Sequence, residues 1–474
     1  MDGQTRSSRG PILANARGGG LLLLLLAAAA AEDEAVARWK VWRADLDHLY
    51  EKIEEPPSLR EIFKAKGIDW KAVTKEANGR FATAAAAAKK RRGDDARADE
   101  ITFYGVLRYV VGQLRDSHAE LTVAKEIATA WQEAQPRSFD AGIELLPGTH
   151  GTILVANVFA ARNSTSPLAG KGVAHDATLL ESVNGIPAAK YFAEKARAKY
   201  EEEGGQSTLG RAFVEALNDL SMPADGSLEL VFQTLKASEK ECEKYLALDP
   251  GKREKAFARL PWKDKKTSLR WSECQNTRNP RNFVFRALER PELVKTADKE
   301  IWYGTLPSGY GYVFYGGVSG TSRQGLDEAC RALADCPGMV LDMRLNGGGG
   351  ESGIEAFDAR EGSWKKPVAV LVGPKAISAA ETELWTLLQM REGHQCTARL
   401  FGRPTAGASG DKIHFELPSG FATGLFVYRH WHGGRSQIEG AGIAPDEVVD
   451  QDLVELSLGI DSCLRRAEEW LAKQ

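Results

Sequence analysis

At 474 residues the chain is too long for one small module, and at about 150 residues per domain it accommodates roughly three. Its 62 basic and 65 acidic residues leave a formal charge of −3, so no global field is present to hold a nucleic acid or an anionic membrane surface. With 43% hydrophobic and 27% charged residues the composition is that of a folded globular protein, and its 47 glycines exceed the usual ~7%.

Residues 1–31 read as an export signal. Arg6, Arg9 and Arg17 precede an apolar run from Leu21 to Ala31, and Ala29 and Ala31 supply the small residues of a cleavage site before Glu32. A bilayer span needs about 20 apolar residues, so the run is too short for a stable anchor, and the expected destination is periplasmic or extracellular. Six cysteines (Cys242, Cys274, Cys330, Cys336, Cys396 and Cys463) suit an oxidising compartment. Their pairing stays open among 15 connectivities, with buried free thiols as the other reading.

Residues 32–138 are expected to form a helical N-terminal domain, because Trp39, Trp42, Leu46 and Leu49, and later Tyr104, Leu107, Val110 and Val111, recur at three- and four-residue steps. Residues 139–235 change to short β-like runs around Ile153–Val158, Thr178–Val183 and Leu228–Phe232, with a helical stretch from Ala188 to Lys199. Their order resembles a PDZ domain, a module that binds peptide C-termini at a sheet edge. Residues 236–300 are charged and poorly periodic and read as a linker or insertion. In residues 301–474 strands alternate with helices, which argues an α/β core. The fold class is therefore α+β multidomain.

Two strings carry chemistry. In Pro367–Leu388 an apolar strand leads through a turn to Ser378 at the mouth of a helix, where unpaired amides can stabilise developing negative charge. The same Ser378-Ala379-Ala380-Glu381 is also a capping box, in which serine only caps the helix. In Gly338–Gly350 a buried strand ends in Asp342, Arg344, Asn346 and four glycines. Side-chain-free backbone there suits an oxyanion hole, a phosphate loop without the P-loop lysine, or a plain turn.

Together these strings resemble the carboxy-terminal processing peptidases, which include tail-specific and tricorn-like proteases. D-x-R-x-N-x-G-G is matched by Asp342 to Gly349, S-A-x-E by Ser378 to Glu381, G-x-P-T-x-G by Gly402 to Gly407, and G-[IV]-x-P-D by Gly442 to Asp446. The resemblance implies a crotonase/ClpP-like catalytic core, Ser378 as nucleophile, and the amides of Gly348 and Ala379 as oxyanion donors. The tail-specific branch places a lysine base directly after G-x-P-T-x-G, where this chain has Ala408. The tricorn-like branch uses a Leu-x-x-Ser-His string, matched by Leu114 to His118, and so implies His118 as base, Ser117 orienting it, and Glu439 orienting Ser117.

An imidazole near pKa 6.5 suits that task at neutral pH. Lys375 and Lys412 are rival bases. His430 and His432 could face one way for a metal, but no third ligand accompanies them at zinc-site spacing. No metal or cofactor is expected. The stretch 351–366 is shorter than the resemblance implies, so a hairpin or lid is reduced. The expected function is a serine endopeptidase acting on exported or unfolded polypeptides, engaged in part through their C-termini. The alternative is a non-catalytic protein holding peptides or hydrophobic ligands on the same fold.

Overall fold

The computed structural model describes residues 18–91, 95–134, 143–158, 160–161, 164–165, 177–203, 206–217, 220, 227–270, 292–350, 353–430 and 438–474. It is a multidomain α+β structure with a helical N-terminal region and mixed sheets.

The N-terminal region comprises α1 (Gly18–Glu54), α2 (Ser58–Lys66), α3 (Trp70–Lys90) and α4 (Ala96–Gly112), followed by β1 (Glu120–Thr122) and α5 (Lys125–Ala134). Asp69 and Asp95 cap α3 and α4, each accepting a backbone amide hydrogen at 3.0 Å, and Gly67 ends α2 in the left-handed conformation at φ 64°. The apolar run of the expected export signal lies within α1, and no described helix is long and apolar enough to cross a membrane. Trp42 stacks on Phe103 with centroids 4.8 Å apart, and the surrounding core also takes in Phe415, Leu417 and Phe426 from far downstream. This sharing has a consequence for the site. β1, two residues after His118, pairs with β17 (Thr423–His430), which pairs in turn with β16 (Gly410–Glu416), so the helical region and this hairpin pack as one unit.

The middle region is an antiparallel sheet in the order β2 (Ile143–Pro147), β3 (Ile153–Val158), β6 (Thr178–Val183), β8 (Ser227–Leu235) and β9 (Trp262–Arg270), with β4 (Ala160–Ala161) and β5 (Ser164–Thr165) paired apart from it. Asn184 and Gly185, at φ 51° and 76°, make the tight turn from β6 to β7 (Ile186–Pro187), a geometry that the Asn-Gly pair favours. α6 (Ala188–Ala198) and α7 (Leu209–Leu217) cover one face through Phe192, Ala196 and Ala212.

Residues 236–300, expected as a linker or insertion, contain α8 (Glu239–Leu246), α9 (Pro250–Phe257) and β9, which pairs with β8 along all nine of its residues. Two eight-residue helices are too short to show a periodic stripe. As an edge strand, β9 also places lysines where a buried strand would show an apolar run.

The last region is a seven-stranded sheet in the order β10 (Val294–Lys295), β11 (Ile301–Thr305), β12 (Gly311–Tyr315), β13 (Met339–Asp342), β14 (Val368–Val372), β15 (Ala398–Gly402) and β18 (Glu447–Val448). Pairing is parallel from β12 to β18. Every residue of β13 and β14 is buried, because α10 (Ser322–Ala332) and α11 (Ala379–Glu392) cover one face and α13 (Ser462–Leu471) the other; α12 (Leu453–Ser457) packs on the middle region. The loops leaving the carboxyl ends of β13, β14 and β15 therefore emerge side by side, the usual place for a site in such a sheet.

A buried polar knot fixes that edge. Tyr312 donates to Asp342 at 2.7 Å, while Arg344 pairs with Asp342 at 2.7 Å and with Asp461 at 2.8 Å. Among the described residues Cys242, Cys330, Cys336, Cys396 and Cys463 are free thiols, the second of the two readings left open above, and Cys274 lies outside them. Removing one member of a buried ion group leaves the others uncompensated. Arg344→Met is accordingly expected to cost about 3–5 kcal/mol, read as a lower denaturant midpoint than the parent protein shows.

Candidate active site

Ser378 sits on the turn from β14 into α11 with φ 62° and ψ −126°, a conformation that side-chain-bearing residues rarely adopt. Three contacts hold it there. Its amide donates to the Ala408 carbonyl at 2.9 Å and to the Glu381 carboxylate at 3.3 Å, and the neighbouring Ile377 amide donates to the Asn346 carbonyl at 3.1 Å. Glu381 has the position of a capping-box glutamate but is fully buried, and it also accepts from Thr405 Oγ1, from the Gly407 amide at 2.7 Å and from the Ala408 amide at 2.8 Å. Burial pushes its carboxyl up to about 7, against the pull of these donors.

The glycine loop closes on the same turn. A Cβ built on Gly348 would lie 2.5 Å from the Ile377 carbonyl and 2.7 Å from Ser378 Cβ, and at φ 78° the position disfavours any side chain. A Cβ on Gly349 would lie 2.0 Å from the Val318 carbonyl. The Gly348 amide donates to Asn346 Oδ1 at 2.9 Å, so this candidate oxyanion donor is engaged by a side-chain amide that a substrate oxygen must displace. The Ala379 amide, first in α11, has no acceptor among the described residues.

His118 comes from the segment between α4 and β1. No hydrogen bond joins it to Ser378 in this structure. Its neighbour is Asp116, which accepts from the His118 amide at 2.8 Å and from the Val427 amide of β17 at 2.7 Å, and whose Oδ1 lies 3.9 Å from His118 Nδ1. Nδ1 itself is buried without a hydrogen-bond partner among the described residues. Burial holds the imidazole below its ordinary 6.5, the Lys412 ammonium pushes the same way, and Asp116 opposes both. Lys412 lies opposite Val427 in the β16–β17 register, which places it beside the Asp116 anchor.

Between Ser117 and Glu439, which was expected to orient it, stands Ser207. Ser207 accepts from the Ser117 amide at 2.9 Å, its own amide donates to Ser117 Oγ at 2.9 Å, and its hydroxyl donates to Glu439 Oε1 at 3.4 Å. Beside the His118 ring stands Asp116. Glu439 accepts from the Ser409 amide at 3.0 Å and pairs with Lys66 at 2.6 Å, both partners being fully buried. Burial raises its carboxyl to about 7, with Lys66 pulling it down.

The site residues are thus linked in series, from Ser378 through Ala408–Ser409 to Glu439, Ser207 and Ser117. Asp116 could be suspected from its place two residues before His118. Ser207 carried no motif, and Lys66 was overlooked.

Of the rival bases, Lys375 lines an apolar cleft of about 140 Å³ between the middle region and the sheet, and Lys412 is half-buried. The cleft lies between β2 (Leu145, Pro147), α7 (Val214, Leu217) and the strand ends (Leu345, Val372), with Arg344 and Arg403 also on its walls. His432 falls outside the described residues; among those described, no group of three or more His, Cys, Asp or Glu is placed to hold a metal ion.

Residues 351–449 match the model of peptidase family S41, a span that holds Ser378 and Glu439 but not His118. Among solved structures, mature CPAF is 12% identical with a TM-score of 0.54, the alignment covering 91% of this chain and 96% of that one. A CPAF point mutant gives 12%, 0.52 and the same coverage. The photosystem II D1 C-terminal processing protease is 17% identical at a TM-score of 0.31, covering 86% of this chain and 98% of that one. The two CPAF structures show a shared fold. No curated protein matches the chain.

The glycine contacts set a test of the site. Gly348→Ala is expected to lower the rate of Ser378 labelling by a fluorophosphonate by about 10²-fold or more, the scale of losing an oxyanion donor, with the far-ultraviolet circular dichroism unchanged.

Proposed function

We propose that the protein is a serine endopeptidase of the tricorn-like type, with Ser378 as nucleophile and His118 as general base. The observation that carries this reading is the strained Ser378 turn, against which the backbone of Gly348 closes with no room for a side chain. A serine that only capped its helix would need neither the strain nor the glycine beside it. The S41 match over residues 351–449 supports the same reading.

In the reaction, Ser378 Oγ attacks a peptide carbonyl carbon as its proton passes to the His118 imidazole. The carbonyl oxygen gains negative charge and is held by the amides of Ala379 and Gly348, the latter released from Asn346. His118 returns the proton to the leaving amine as the C–N bond breaks, and water then hydrolyses the acyl ester by the same route. A base held below its ordinary pKa is neutral, and so able to accept a proton, at neutral pH. Asp116 stabilises the imidazolium that forms. Glu439 acts through Ser207 and Ser117.

The middle region is PDZ-like in this reading and presents polypeptide substrates. The apolar cleft between β2, α7 and the strand ends supports it, since an edge strand facing a helix suits an extended peptide. The N-terminal signal directs export, and N-terminal sequencing of secreted protein should begin at Glu32.

Ser378→Ala and His118→Ala are each expected to lower kcat on an unfolded protein substrate by at least about 10³-fold without unfolding the enzyme. If His118→Ala remains fully active while Lys375→Ala or Lys412→Ala is dead, the base is wrongly assigned. Tight peptide binding with no labelling of Ser378 would mark a non-catalytic carrier instead.

A further inference from the structure

Lys66 is the last residue of α2, and Leu59, Ile62, Phe63 and Lys66 form the buried stripe of that helix. A lysine on such a stripe must be paired. Its Nζ donates to Glu439 Oε1 at 2.6 Å and to the Arg115 carbonyl at 2.8 Å, while Arg115 Nη1 donates back to the Lys66 carbonyl at 2.7 Å. The slot it fills is shaped for it. A Cβ on Gly440 would lie 2.9 Å from Lys66 Cγ and 3.0 Å from its Cε, so the residue after Glu439 must lack a side chain for the lysine stem to pass. Arg115 itself holds φ 49°, a strained value that persists only where the surroundings enforce it.

We infer that Lys66 is a positioning residue: its buried ammonium, bonded at once to Glu439 and to the Arg115 carbonyl, holds the segment carrying His118 in register with the loops that carry Ser378. The inference rests on the assignment of Ser378 and His118 above. It gives a base on the helical region and a nucleophile on the sheet a shared anchor, although no hydrogen bond joins them. Besides Lys66, the charged groups around Glu439 are Asp116 and Glu381, with Arg115 and His118 on the base segment.

Lys66→Met tests it in the full chain. The expected result is a fall in kcat of about 10²-fold, the scale of a misplaced reacting group, with KM within about twofold. The acid limb of the kcat profile moves as well. Glu439 already lies near 7 with Lys66 beside it, and losing the cation raises it further, so the limb shifts to higher pH. In Lys66→Met/Glu439→Gln the limb falls back to that of His118, at lower pH than in Lys66→Met.

Amide exchange gives a readout independent of hydrolysis: residues 115–118 exchange faster in Lys66→Met, while β13 and β14 are unchanged. If Lys66→Met does not fold, the double variant leaves neither charge buried alone, and its 115–118 exchange must exceed that of Glu439→Gln. An unchanged kcat and acid limb, or unchanged exchange at 115–118, overturns the inference. A parent protein that neither hydrolyses substrate nor labels at Ser378 counts against the peptidase reading alone, and exchange still decides the role of Lys66.

Discussion

The site depends first on one buried carboxylate. Glu381 gathers the amides of Ser378, Gly407 and Ala408 and the Thr405 hydroxyl. A carboxylate taken out of water is costly unless donors replace its hydration, and four do so here. In an exposed capping box the glutamate secures only its own helix. Burial changes its task, because its partners now come from the loop after β15 as well as from the turn after β14. The two readings of Ser378-Ala379-Ala380-Glu381 are therefore not rivals. The cap is what holds the hydroxyl at an angle that its backbone resists.

The parallel sheet supplies the neighbours. Loops from β13, β14 and β15 bring Gly348, Ser378 and Ala408 together because strand order in space follows strand order in sequence. This much was legible, since buried strands and their terminal glycines announce themselves as apolar runs with abrupt ends. What sequence could not show was the company each residue keeps. Ser207 separates Ser117 from Glu439 because a segment of the middle region, 90 positions after Ser117, enters between the helical region and the core. Neither its spacing nor its type marked it. Residues 239–270 escaped for a different reason, as short helices and an edge strand lack the periodic apolar signal that longer or more buried elements carry.

Lys66 illustrates a signal that was present and unused. Its spacing from Leu59, Ile62 and Phe63 puts a cation on an apolar face, and charge there requires a partner of opposite sign. The partner, Glu439, is 373 positions away. Local reading of helix patterns can flag such a residue, but only the fold names what it meets. The same holds for Asp116, whose hydrogen bond from the Val427 amide fastens the segment carrying His118 to β17.

In the proposed reaction, the engaged state of Gly348 bears on how the site would favour its transition state. Its amide is held by Asn346 Oδ1, and Asn346 Nδ2 is buried without a partner among the described residues. A neutral substrate carbonyl offers little more than the asparagine oxygen already gives, so displacing Asn346 gains little in the ground state. A tetrahedral oxyanion is a stronger acceptor and shifts that balance. The exchange therefore favours the charged intermediate over the bound substrate. Since the asparagine fixes the amide's direction beforehand, little of that gain is lost to reorganisation.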